Sequence, residues 1–251
     1  MYAVTAATGQ LGRLVLDRLK GDVVAVVRDP GRVPTGVEAR HGDYDDPHGL
    51  RAAFAGVDRL LLISSPELDA ARRTAQHRNV LDAAVAAGVT AVVYTSFLGA
   101  DTVATGMTEA HHATEQAIVE SGLAYTILRN PFYGEAFLPQ VGDGVIRSST
   151  GGRGLNTAFR DDLAQAAANA LTGEGHLGRA YDLTGPLWTY PEVAAALGVA
   201  YEEVPDAGPG PMAWLNGLVR AGALERQTGD LESLLGRPAE TVAERLTIVT
   251  P

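Results

Sequence analysis

The sequence predicts an α/β fold, a doubly wound parallel sheet with a small, mostly helical C-terminal lobe. Three observations carry this. Short runs rich in Val, Ile and Leu alternate with longer stretches of helical periodicity, the pattern of βαβ units around a buried parallel sheet. The turn Thr8-Gly9-Gln10-Leu11-Gly12 directly follows the first apolar run and opens the first helical stretch. The rhythm weakens after Pro131, where glycines and prolines accumulate.

The elements follow in order. Strands are predicted at Tyr2 to Thr5, Val23 to Val27, Val37 to His41, Asp58 to Ile63, Ala91 to Thr95 and Tyr125 to Leu128, all but Val37 to His41 centred on a short apolar run. Between them lie helical stretches from Gln10 to Lys20, Pro47 to Ala55, Glu67 to Ala87 and Thr108 to Ser121. The last two end in Gly88 and Gly122, placed as C-terminal caps. The stretch from Val141 to Asn156, with Gly142, Gly144, Gly151, Gly152 and Gly154, reads as loops and short strands, so the sheet is expected to have six strands. A helix follows from Asp161 to Leu171, and helical patterns recur around Trp214 to Ala223, Leu231 to Leu235 and Pro238 to Leu246. The expectation is one dinucleotide-binding domain over 1–251, with residues from about 131 onward supplying a smaller substrate-covering lobe.

Composition narrows the function. A net charge of −10 without any basic run argues against nucleic-acid binding. The chain has no cysteine, which excludes thiolate chemistry and Cys-based metal sites, and no metal is expected. It has neither a basic start followed by a long apolar stretch nor an uninterrupted run near the ~18 residues of a membrane span. A cytoplasmic, unprocessed protein is expected. Lys20 is the single lysine among 20 basic residues, so chemistry that requires a lysine must use it.

The strand-turn-helix context of Thr8, Gly9, Gln10, Leu11 and Gly12 marks a Rossmann-type dinucleotide fingerprint. Gly9 lets the backbone approach a pyrophosphate and Gly12 lets the helix pack closely. Ala6 replaces the usual first glycine, either as a slightly different turn or at a cost to binding. At the end of the second strand, where NAD-specific proteins place an acid, stands Arg28. A guanidinium there pairs with a 2′-phosphate, so NADPH is the expected cofactor, with NADH bound more weakly through the neighbouring Asp29. Asp43 either faces the adenine or is an ordinary turn aspartate. Ser64 and Ser65, then Thr95 and Ser96, then Asn130, Pro131, Phe132 and Tyr133 lie at or just past carboxyl ends of strands, which places them along the nicotinamide half of the cofactor.

The stretches TAATGQLG, HGDYDDP, FAGVDRLLLISS, QHRNVLDAA, YTS, HHATE, YTILRNPFY and LESLLGRP span nearly the whole chain. On these the chain resembles the NmrA-like group of atypical short-chain dehydrogenase/reductases, in particular the bacterial quinone oxidoreductase and triphenylmethane reductase branch. The resemblance implies a reductase with a substrate-covering lobe and cofactor contacts from Thr8 to Gly12, Arg28, Ser64, Ser65 and the loop from Asn130 to Glu135, with Arg160 as a further candidate. It places His111 where many relatives have the lysine that holds the nicotinamide ribose. His111 is thus either a ribose contact, its catalytic role being to position the ribose, or a surface histidine beside His112. Glu115 lies four residues on, on the same helix face.

No tyrosine stands four residues before Lys20, so the tyrosine–lysine relay of alcohol dehydrogenation is missing. Hydride transfer to an acceptor that accommodates electron density itself, a quinone or cationic dye, suits such a site. Among Phe97, Phe132, Tyr133, Phe137 and Trp188, the first loop pair Phe132 and Tyr133 is assigned to stack the acceptor. The other reading is a non-catalytic NADP(H)-sensing regulatory protein, with the reductase favoured by HHATE and RNPFY. The partner is a small-molecule electron acceptor, and the chain is a monomer or homodimer.

Overall fold

The computed structural model describes residues 1–141 and 143–249. The chain divides into two compact units, one of residues 1–130 and 163–183, the other of 131–162 and 184–251. Residues 163–183, which the sequence groups with the lobe, thus belong to the first unit.

The first unit is built on seven parallel strands: β1 (Tyr2–Thr5), β2 (Val23–Val27), β3 (Glu38–His41), β4 (Arg59–Leu62), β5 (Ala91–Phe97), β6 (Ala124–Asn130) and β8 (Arg179–Asp182), β7 being Val145–Ser148 of the second unit. Their order is β3-β2-β1-β4-β5-β6-β8. The order reverses between β1 and β4, and a ligand crevice is expected outside the carboxyl ends of the strands at such a reversal. The six-strand expectation is corrected to seven. β8 escaped notice because it is four residues, Arg-Ala-Tyr-Asp, at the edge of the sheet with its first two side chains exposed, so no apolar run announces it.

Helices α1 (Gln10–Leu16), α2 (Pro47–Ala53), α3 (Ala70–Ala87), α4 (Glu109–Glu120) and α5 (Arg160–Thr172) accompany the sheet. α2, α3 and α4 lay Leu50, Phe54, Val80, Leu81 and Ile118 on the sheet face formed by Ala3, Val24, Val26, Leu60, Leu62, Val92 and Tyr94. Those strand residues alternate, as one face of a pleated sheet must. Arg59 points to the other face, where its guanidinium donates to the carbonyls of Leu171 and Gly173 at the end of α5. α1 stops at Leu16, short of Lys20, because the chain tightens there into shorter bonds from Arg18 N to Val15 O and from Leu19 N to Leu16 O.

The second unit pairs β7 in parallel with β9 (Ala200–Glu203) and adds α6 (Tyr190–Leu197), α7 (Pro211–Arg220), α8 (Asp230–Leu235) and α9 (Val242–Val249). Its core gathers Phe137, Ile146, Leu155, Phe159, Trp188 and Tyr190. α6 carries a reciprocal cap between Thr189 and Glu192 and closes at Gly198 in the left-handed conformation, a start and stop signal present in the sequence and passed over. Among the described residues no helix is long and apolar enough to cross a membrane.

Candidate functional site

The site in the first unit starts at the β1–α1 turn. Ala6, at the place of the usual first glycine, is held at φ +48°, the one non-glycine residue with positive φ among those described. The turn therefore keeps its left-handed geometry, and the alanine side chain is strained there by roughly 1–2 kcal/mol. Gly12 is obligatory for packing: a Cβ on it would stand 2.5 Å from Ala6 O and 2.7 Å from Ala7 Cα. At Gly9 the nearest atom to a Cβ would be Ala6 O at 3.1 Å. Gly9 caps α1 without a side-chain bond, and Gly9 and Gln10 are exposed while Leu11 is buried. The first-turn amides of a helix start with no intrahelical partner, which makes this end a place for an anion to approach.

Arg28 extends exposed from the end of β2. The neighbouring Asp29 accepts from the amide of Gly31 at 3.0 Å and so caps the one-turn helix that follows. Asp43 accepts from the amide of Asp45 at 3.0 Å, the behaviour of a turn aspartate. That bond leaves the carboxylate further lone pairs.

At the end of β4, Ser64 and Ser65 are held by the start of α3. Arg73 donates two bonds to Ser64 Oγ, at 2.7 and 3.1 Å. Ser65 donates its hydroxyl to Gln76 at 2.5 Å, and its amide donates to Nε2 of His77 at 2.9 Å. The amide of Ser64 is taken by Thr95 Oγ1 at 2.9 Å. Both hydroxyls and both amides are thus engaged within the protein, and what this loop offers a ligand is chiefly its backbone carbonyls. Gln76 also donates to Asp45, which Gln76 and then Arg72 hold below the usual carboxylate range. Tyr44 donates its hydroxyl toward Thr5 Oγ1 and Ile63 O, each at 2.6 Å. Its phenol is pushed well up by burial.

His111, in the first turn of α4, is only 5% exposed. The surface-histidine reading is therefore corrected: the apolar face of α4 turns it onto the sheet, where Nδ1 and the Tyr94 hydroxyl are 2.9 Å apart. Burial pushes the His111 imidazole down to about 3, helped by Arg73, and pushes the Tyr94 phenol up. His112 turns away to Ala100 O at 2.7 Å. Glu115 shares the face with His111 but has different work. It receives Ser96 Oγ at 2.5 Å and clasps Arg129 at 2.8 and 3.0 Å. Arg129 also pairs with Asp101 at 3.3 Å and Asp182 at 3.4 Å, so the carboxyl ends of β5, β6 and β8 are tied to the middle of α4. Asn130 ends β6, buried, its carbonyl accepting from Leu98 N.

In the second unit Pro131 is buried and Phe132 half-buried, its ring 5.9 Å from that of Phe137. Arg160 lies 4.1 Å over the ring of Tyr133 and pairs with Glu135 at 3.2 Å, and its amide also donates to Glu135. Phe137 and Trp188 belong to the core of this unit.

The residues that sequence reasoning missed are Arg73, Gln76, His77 and Tyr94. The signal was there: Arg73, Gln76 and His77 precede Val80, Leu81 and Ala84 on the buried stripe of α3, polar side chains at core spacing.

A family model described as NAD(P)H-binding matches residues 6–174. Quinone oxidoreductase 2 of Escherichia coli (strain K12) is 36% identical over 281 residues, covering 98% of each chain. NAD(P)H azoreductase of Xenophilus azovorans is 31% identical over 225 residues, 80% of this chain and 73% of that one. The structure of Citrobacter sp. triphenylmethane reductase complexed with NADP(H) superimposes with a TM-score of 0.88 at 34% identity, over 98% of this chain and 99% of that one. The NADPH complex of the Escherichia coli NADPH-dependent quinone oxidoreductase gives 0.86 at 34% identity over 100% of both. With its β1–α1 turn inside the matched region and a relative aligned almost end to end, the chain belongs to the NAD(P)H-binding family.

Proposed function

We propose that this protein is an NADPH-dependent reductase that passes hydride to a quinone or a similarly conjugated acceptor without a tyrosine–lysine relay. The observation that carries the reading is the full-length likeness to quinone oxidoreductase 2 in a chain whose β1–α1 turn keeps the left-handed bend of a glycine even with Ala6 there, at φ +48°. NADPH, when bound, supplies the hydride.

The residues of the first unit fit that cofactor. The turn from Thr8 to Gly12 presents its amides to the pyrophosphate, with Gly12 allowing the close approach of helix and turn. Arg28 pairs with the 2′-phosphate, and Asp29, occupied by Gly31, competes little for a ribose hydroxyl. Asp43 faces the adenine. Ser64 and Ser65 present their backbone carbonyls, and Ser96 and Asn130 bound the nicotinamide end. His111 holds the ribose. Being neutral, it offers a hydrogen bond rather than a charge, and at pH 7 it has no proton to release as an imidazolium. Within the second unit, Phe132 and Tyr133 supply aromatic surface for a flat acceptor, and Arg160, stacked on Tyr133, fixes that ring's orientation.

Because the acceptor delocalises the incoming electron pair, these side chains need only bind, orient and exclude water. The protein is read as cytoplasmic, monomeric or homodimeric. The test is oxidation of NADPH by a simple quinone, followed through loss of the reduced nicotinamide absorbance. Tight NADPH binding with no turnover on quinones or dyes would replace this reading with that of an NADP(H) sensor.

A further inference from the structure

His77 is fully buried in the first unit, yet neither the fold nor the proposed chemistry requires a histidine there. Its hydrogen bonds determine its protonation. A backbone amide can only donate, so the bond from Ser65 N at 2.9 Å makes Nε2 an acceptor. Nδ1 lies 2.8 Å from Thr114 Oγ1, and that hydroxyl spends its own hydrogen on the carbonyl of Ala110, with the oxygens 2.6 Å apart. Thr114 Oγ1 must therefore accept, and Nδ1 must carry the ring's one proton. Burial, which pushes this imidazole down to about 3, agrees with a neutral ring. The rings of Tyr44 and Tyr94 stand edge-on to it at 6.3 and 5.5 Å, which leaves the imidazole one orientation.

The motifs QHRNV and HHATE, 37 residues apart at this contact, thus meet in one proton-ordered chain: Ser65 N–H to His77, His77 N–H to Thr114, Thr114 O–H to Ala110. We infer that His77 is a positioning residue for the cofactor loop at Ser64 and Ser65, and that Thr114, which is fully buried in the core, sets NADPH affinity by accepting the His77 Nδ1–H and so holding the ring against that loop. This rests on the proposed reading that the loop meets the cofactor.

The physical reason is an asymmetry of donors. If Nδ1–H lost its acceptor it would be a buried donor without a partner, and its proton could not move to Nε2 without setting Nε2–H against the Ser65 amide, donor against donor, so the ring would relieve the cost by shifting out of its bond to the loop. The amide would then be buried without a partner, a cost large enough to move the loop. Gln76 and Arg73, holding the two serine hydroxyls from the same helix, would keep the loop near its place but not its backbone orientation.

The experiment compares the full-length wild type with Thr114→Val, which keeps the side-chain shape and removes the acceptor, and Thr114→Ser, which restores it. Nitrogen chemical shifts of the His77 ring report the tautomer, and calorimetry with NADPH reports affinity. The expected results are an Nδ1–H ring in wild type and Thr114→Ser, and an altered ring with roughly tenfold weaker NADPH in Thr114→Val, from the loss of a buried bond. In turnover with a quinone, the Michaelis constant for NADPH should rise more than kcat falls. An Nε2–H or doubly protonated ring in wild type overturns the inference, and that measurement needs no variant to fold. So does Thr114→Val binding NADPH as tightly as wild type. A wild type with the Nδ1–H ring that binds no NADPH refutes instead the cofactor reading beneath it.

Discussion

Two buried histidines make the stability of the first unit depend on pH in a range where most carboxylates are silent. Burial pushes both His77 and His111 down to about 3 in the folded chain, against about 6.5 in an unfolded one. Between those values the unfolded chain binds more protons than the folded chain, so stability rises with pH. The contribution is fully present above about pH 6.5 and is lost progressively as pH falls toward 3. From pH 7 to pH 5 the loss is about 2 kcal/mol for each ring, about 4 kcal/mol for the pair. That is a large share of the ~5–15 kcal/mol by which domains are stable. His176, also lowered by burial and then by Arg179 and Arg59, adds in the same direction. The assay is urea unfolding at pH 7, 6 and 5, read by far-ultraviolet circular dichroism, because Trp188 and Trp214 both lie in the second unit and the two histidines in the first. His111→Gln removes one site and should reduce the pH slope by about half. A free energy unchanged between pH 7 and pH 5, or ring resonances titrating near pH 6.5, would refute the reasoning.

Arg28→Ala should weaken NADPH by about 1–3 kcal/mol, the range for a charge-assisted bond, and leave NADH nearly unchanged; equal losses by calorimetry would remove Arg28 from the 2′-phosphate. Ala6→Gly relieves the strain of φ +48° and should stabilise the fold by about 1 kcal/mol with NADPH binding intact. Gly12→Ala, whose new Cβ meets backbone at 2.5 Å, should instead lower the melting temperature and abolish binding, and a normally binding variant would show the turn to be unrelated to the cofactor. With His111 down at about 3, the quinone reduction rate should vary little between about pH 6 and about pH 9, while His111→Ala raises the Michaelis constant for NADPH more than it lowers kcat. A kinetic pKa near 6.5 that disappears in His111→Ala would show that the ring is charged in turnover.

The sheet was legible wherever a strand is buried on both faces. β1, β2, β4, β5 and β6 read as unbroken apolar runs because helices cover them on either side, whereas β8 at the edge and β7 with β9 in the second unit are four-residue strands with exposed positions. Boundaries failed where side chains, rather than periodicity, decide them. α3 begins at Ala70 and not at Glu67, since Asp69 caps the helix through the amide of Arg72 at 2.8 Å, while Glu67 spends its carboxylate on the amides of Leu68 and Asp69.

Legibility of the site divides along the same line. Residues that act through the backbone, from Thr8 to Gly12, are marked by what they lack: a glycine pattern tells the reader that side chains are unwelcome, and its place after a strand tells where. Residues that act by hydrogen-bonding one another leave no such trace. His77 and Thr114 are meaningful only as a pair, and the pair exists because α3 and α4 pack side by side on one face of the sheet. A periodicity reading assigns such positions to the core by their spacing, and their polar character then looks like an exception to the stripe. The exception is itself the signal: a polar side chain on a buried stripe requires a partner, and Arg73, Gln76 and His77 on successive turns require several. Three such residues near the start of one helix point to a loop that the helix must hold, and in a doubly wound sheet the loop within reach is the one leaving the preceding strand, here Ser64 and Ser65 after β4.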